Sequence, residues 1–116
     1  MLLPGSVKIY LATQPCDMRK GPDGLMSLVK HKLIEDPFSG QLFVFYSKRK
    51  NRIKCLFWQK GGFCIFYKRL EKGRFLLPRL DENSNSVQIE AADLAMLLSG
   101  IDLSNVRRQK LWQPKR

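Results

Sequence analysis

Between Val7 and Leu11 the chain alternates at period two, Val7-Lys8-Ile9-Tyr10-Leu11, which predicts a first strand. Thr13-Gln14-Pro15-Cys16-Asp17 breaks it. From Pro22 the period lengthens: Leu25, Leu28, Val29, Lys32 and Leu33 fall on one helical face, predicting an amphipathic helix that ends near Asp36. Pro22 suits a first helical turn, Asp23 suits the positive end of the dipole, and Asp36-Pro37-Phe38-Ser39-Gly40 is turn chemistry. The period then returns to strand-like over Gln41 to Tyr46, Arg52 to Gln59 and Phe63 to Arg69. The links Ser47-Lys48-Arg49-Lys50-Asn51 and Lys60-Gly61-Gly62 are too short for crossovers and predict antiparallel hairpins. Arg74 to Leu77 is expected to continue the meander, and Val87-Gln88-Ile89 to form a short edge strand after the polar loop 81–86. Ala91 to Ser99 carries Leu94, Leu97 and Leu98 on one face and stops at Gly100, a second helix.

These elements predict an α+β fold. It is an antiparallel β-meander of about four to six strands, with an N-terminal and a C-terminal helix packed on one side or end. One domain over residues 1–103 and a basic, flexible tail over 104–116 that orders on binding are expected. A chain of 116 residues with 44% hydrophobic and 27% charged residues can bury a core without staples.

Charge changes the picture more than composition does. Residues 48–79 hold eleven Lys or Arg against the single acid Glu71, so this stretch carries +10 of the formal +11. Aromatic residues are interleaved with those cations. A one-sign surface of this kind suits a polyanion, because neutralised phosphates release counterions, and nucleic acid is the first partner to consider.

Other classes fit poorly. Cys16, Cys55 and Cys64 form no CxxC pair and His31 is the only histidine, so neither a zinc site nor a disulfide framework is expected, and no cofactor. The cysteines read as buried free thiols. Two-metal phosphoryl transfer needs convergent carboxylates, and Asp17, Asp23, Glu35 and Asp36 are the only acids before the basic stretch. No Ser-His-Asp set surrounds His31, so the chain is not expected to be an enzyme, nor to take a small-molecule substrate. No apolar run approaches membrane-spanning length and the start lacks signal-peptide character, so no membrane partner and a cytoplasmic location are expected.

Four blocks carry a resemblance. Asp17-Met18-Arg19-Lys20-Gly21 with Asp23-Gly24-Leu25 is the first, and the segment from Asp36 to Phe45 is the second. The third runs from Gly62 to Phe75, and Leu94-Ala95-Met96-Leu97-Leu98 with Gly100-Ile101-Asp102 is the fourth. In this order, over residues 7–112, they resemble the TnpB accessory proteins, products of the second open reading frame of the bacterial insertion-sequence family numbered sixty-six. The RNA-guided nuclease that shares the name TnpB is a larger, unrelated protein. The resemblance implies a protein encoded beside a separate transposase and assisting transposition. Asn51 and Gln59 stand where that family commonly has acids, which removes negative charge from the basic stretch.

The expected function is therefore an accessory protein that binds DNA phosphates and assists the transposase of its element. Lys48, Arg49, Lys50, Arg52, Lys54, Lys68, Arg69 and Arg74 are the candidate phosphate contacts, with Arg107 and Arg108 of the tail as auxiliaries. The loop 48–52 has a plainer reading as a solvated hairpin tip whose lysines protect an edge, but four cations in five residues with no nearby acid favour phosphate contact. Arg19 and Lys20 either hold phosphate or serve a turn in which Asp17 binds amides and pairs with Arg19. Trp58, Phe63, Phe66 and Tyr67 fit a partner interface, base stacking or core packing. The alternative function is a protein-interaction module that docks on the transposase without touching nucleic acid.

Overall fold

Leu42–Tyr46 is a strand without a polar residue, and all five of its positions are buried. Such a run must be covered on both faces, and the rest of the chain does this. The computed structural model describes residues 6–102 and 107–108, with side chains to residue 100. In chain order the elements are β1 (Ile9–Ala12), α1 (Pro22–Leu28) continuing into a π-helical turn (Val29–Leu33), β2 (Leu42–Tyr46), β3 (Arg52–Gln59) and β4 (Gly62–Arg69). They continue with β5 (Ser86–Ile89), α2 (Ala91–Ser99), β6 (Ile101–Asp102) and β7 (Arg107–Arg108).

The first five strands form one sheet in the order β4-β3-β2-β1-β5. The purely antiparallel meander expected from the short links is corrected here: β1 and β2 are parallel, with Ile9 opposite Leu42 and Leu11 opposite Val44. The reason is the connection between them, which holds a helix and is long enough to return the chain to the starting end. The other pairs, β2 with β3, β3 with β4 and β1 with β5, are antiparallel.

Side-chain alternation separates two cores. Ala12, Phe43, Phe45 and Leu56 point to one face and meet Leu25, Val29 and Leu33 of the crossover helix. Ile9, Leu11, Leu42, Val44, Ile53 and Cys55 point to the other and meet Leu94 and Leu97 of α2, with Phe75. The helices thus lie on opposite faces of the sheet, not together on one side. Burial pushes the Cys55 thiol up to about 12, as suits a core cysteine.

Three local departures from the sequence expectation have physical causes. The first helix ends at Leu33 instead of Asp36, because Ile34 takes the left-handed conformation (φ 55°, ψ 49°) and the Val29 carbonyl accepts from both Ile34 and Glu35. Arg74–Leu77 is not a ladder strand. It belongs to a strap over residues 70–80 that crosses the α2 face, held by Leu70 N–H on the Asn51 carbonyl (2.8 Å) and Phe75 N–H on the Lys50 carbonyl (2.6 Å). Finally, Arg107–Arg108 pairs antiparallel with Ile101–Asp102, while the rest of the expected tail lies outside the described residues.

α2 is closed at both ends. Glu90 and Asp93 form a reciprocal capping box, and Gly100 (φ 83°) is its left-handed stop. Lys68 of β4 reaches the same terminus and donates from Nζ to the Leu98 carbonyl at 2.6 Å, a cation at the negative end of the helix dipole. Among the described residues no helix is long and apolar enough to cross a membrane.

Lys68 and Arg49 therefore differ in role although both belong to the same charge run. Lys68→Met should lower stability by about 1 kcal/mol, a drop in Tm of roughly 4–8 °C, through loss of this cap. Arg49→Ser, at an exposed position, should leave stability within about 0.5 kcal/mol. Thermal unfolding of the two variants checks both.

Candidate nucleic-acid interface

Parallel pairing of β1 with β2 has a consequence for charge. β1, β2 and β4 all finish at one end of the sheet, where β3 and β5 begin. This upper end collects the loop 13–21, the hairpin 47–51 and the start of the strap. The cations of all three segments meet there, although they are up to 55 positions apart in sequence, from Arg19 to Arg74.

The hairpin tip is built, not loose. Ser47 Oγ accepts from the N–H groups of Asn51 (3.3 Å) and Arg52 (3.1 Å) and donates to Asn51 Oδ1 (3.1 Å). Lys50 N–H closes the turn on the Ser47 carbonyl (2.9 Å), with Lys50 in the left-handed region at φ 60°. The strap then binds the Lys50 and Asn51 carbonyls from the other side. Lys48, Arg49, Lys50 and Arg52 consequently project from an anchored backbone and are exposed.

The remaining candidates divide. Arg52 faces Arg69 directly across the β3–β4 ladder, a like-charge pair relieved on one side by Glu71, whose carboxylate binds Arg69 at 2.8 Å. Lys54 is a brace: its ammonium donates to the Lys20 carbonyl (2.8 Å) and stands 5.5 Å from the centre of the Tyr67 ring. Lys68 caps α2, as described. Arg19 pairs with Asp17 at 2.7 Å and also gives Asp17 its backbone N–H, contacts that hold the Asp17 carboxyl down to about 2. Arg19 and Lys20 still lie at the upper end, and Lys20 is set there by Lys54. Arg74 is exposed on the strap. The side chains of Arg107 and Arg108 lie outside the described residues.

The four aromatic candidates do not form one patch. Trp58 and Phe63 sit at the lower end, 4.9 Å apart edge to face. Tyr67 lies under Lys54 on the same face near the upper end, 46% exposed. Phe66 points to the opposite face and packs against the α2 core.

Sequence reasoning missed Phe38, the third member of the lower cluster. It stands 5.0 Å from Trp58 and 5.3 Å from Phe63 and is 52% exposed. The available signal was an aromatic residue inside the polar turn 36–40. Ile34, in the same connection, is 69% exposed. The acids weighed for metal chemistry are also split between the ends: Asp17 is tied to Arg19 above, and Asp36 caps its own turn on Phe38 N–H (2.9 Å) below.

Comparison with known proteins adds the context of this surface. A family model described as IS66 Orf2 like protein matches residues 7–108. Two uncharacterized proteins of Sinorhizobium fredii (strain NBRC 101917 / NGR234) are similar. One, y4jC, is 34% identical over 108 residues, covering 93% of this chain and 91% of the relative. The other, y4hO, is 36% identical over 109 residues, covering 94% and 91%. No solved structure matches. With the family match spanning both helices and the whole five-stranded sheet, this chain belongs to the IS66 Orf2-like family of insertion-sequence-associated accessory proteins.

Proposed function

We propose that this protein is a cytoplasmic DNA-binding accessory factor of insertion-sequence transposition, gripping phosphates with the upper end of its sheet. The observation that carries the reading is the anchored hairpin tip, which presents Lys48, Arg49, Lys50 and Arg52 beside the strap that bears Arg74. Fixing the backbone beforehand leaves less disorder to lose when phosphates bind. Arg19 and Lys20 extend the surface across the sheet end, and Arg107 and Arg108 are kept as auxiliary contacts on their sequence alone. Lys54 and Lys68 are assigned to the fold, and Arg69 to a half-neutralised flank. Chemistry on DNA is assigned to the separate transposase, with this chain taking no catalytic step.

A second reading rests on a different observation, the exposed Phe38–Trp58–Phe63 cluster at the lower end. An exposed aromatic anchor over a packed pair is hot-spot chemistry, and the transposase of the same element is the partner it fits. As the only role, this gives an interaction module that never touches nucleic acid. As a second role it is compatible with DNA at the other end.

The first test is a salt series on duplex DNA from the element's terminal inverted repeat. Wild-type protein should bind with a steep negative log-log slope. A variant carrying Lys48→Ser, Arg49→Ser and Lys50→Asn, the last chosen because asparagine tolerates the left-handed backbone, should bind more weakly with the slope flattened by about 2 to 3. Unchanged affinity and slope would exclude the upper end as the DNA surface. In the second test, Phe38→Ser should reduce capture of the transposase at high salt and leave the DNA slope unaltered. Full capture by that variant would remove the aromatic cluster as the docking point.

A further inference from the structure

Beside the hairpin tip lies a cleft of about 520 Å³, within the range of roughly 300–1,000 Å³ usual for small-ligand sites. One wall is Thr13, Gln14 and Pro15, where the chain leaves β1. The other is the strap, with Leu77 and Pro78, and Arg74 stands on that side. Tyr46 and Phe75, both buried, close it from the core. Lys50 lines it from the hairpin, and Glu82 lines it from the loop beyond the strap. The Thr13 wall is tied to the loop beyond the strap: Thr13 N–H donates to the Asn85 carbonyl at 3.2 Å, and the Thr13 hydroxyl donates to the Ser84 carbonyl. Tyr46 and Phe75 give the core side of the cleft no charge at neutral pH.

We infer that this cleft takes one unpaired nucleotide at the end of a DNA duplex. The inference rests on the DNA-binding reading and narrows it from phosphates in general to a duplex end. Three features converge on this ligand. The cleft is apolar toward the core, as a base face requires, and cationic where Lys50 and Arg74 stand, as a phosphate requires. Glu82 offers a carboxylate to an exocyclic amino group, a partner that a bare phosphate would not need. Above all, the cleft is lined by Lys50 of the same hairpin tip that presents Lys48, Arg49 and Arg52, so a duplex held at that tip has its terminus within reach of the opening. A paired and stacked base cannot enter; only a splayed or overhanging one can.

The experiment compares a blunt duplex with duplexes carrying a single-nucleotide 3′ or 5′ overhang, matched in phosphate number, in a salt series. Gln14→Trp provides the control: Gln14 is exposed, and a bulky side chain there occupies the opening without disturbing the core. Wild-type protein should bind one overhang polarity roughly tenfold tighter than the blunt duplex, a ratio in the range of one stacked base. Gln14→Trp should erase that ratio and keep blunt-duplex binding. As a measurement independent of any variant, 2-aminopurine at the overhang should change fluorescence on binding while the same base inside the duplex does not. Equal affinity for blunt and overhanging duplexes, with the salt slope intact, overturns the cleft inference alone. A preference that survives in Gln14→Trp overturns it too. Absence of salt-dependent binding to every duplex overturns the DNA-binding reading along with it.

Discussion

The two-sided burial of β2 is the constraint on which the rest of this structure depends. Leu42, Phe43, Val44, Phe45 and Tyr46 offer no face to water, so one helix must cross above the sheet and another below. The crossover helix places β1 parallel to β2, and that pairing sends the ends of β1, β2 and β4 the same way. Polar and charged residues cannot sit on a sheet covered on both faces without partners, so they collect where the strands end. The cationic upper end follows from the hydrophobic pattern of a strand that bears no charge itself.

A formal charge of +11 is a self-repulsive load on a chain of this size. The fold contains it in two ways. Some cations are used internally: Lys54 ties β3 to the loop after β1, and Lys68 ties β4 to the end of α2, each through a backbone carbonyl more than 29 residues distant. Others remain close together and only partly relieved, most plainly Arg52 opposite Arg69, where Glu71 pairs with Arg69 alone and a neutral pair would stabilise the ladder better. Retaining like charges across a strand pair is understandable if an anion binds them. Internal use of Lys54 and Lys68 needs no such partner.

Much of the local structure was legible in the sequence. β3 and β4 with their two-glycine turn, β2, and α2 with its glycine stop are set by patterns within a few residues, and each lies close to where its pattern placed it. Pairing direction was less legible, because the period-two signal of Val7–Leu11 is the same for a parallel and an antiparallel neighbour. The charge run is plain in the sequence, but which of its members are used inside the fold is not. A lysine that reaches a carbonyl thirty residues away has the same sequence signature as one that reaches solvent, and only the register places Lys68 beneath α2. Phe38 escaped for the opposite reason: it lies in a turn, and periodicity is silent there.

The two ends of the sheet are far enough apart to act independently. β3 and β4 each run eight residues, which at about 3.3 Å per residue separates the cationic tip from the aromatic cluster by roughly 25 Å. That is about three Debye lengths at physiological salt, so the field at one end is screened before it reaches the other. The lower end also carries a strain that packing does not explain: Ile34, β-branched and exposed, sits in the left-handed conformation at a cost of roughly 1–2 kcal/mol. A residue without that penalty would close the helix equally well if closing the helix were its only task. Exposed isoleucine and phenylalanine in one short connection make better sense as groups shielded by a partner. Under the proposed function, the separation of the two ends would let DNA at one and the transposase at the other bind without either displacing the other.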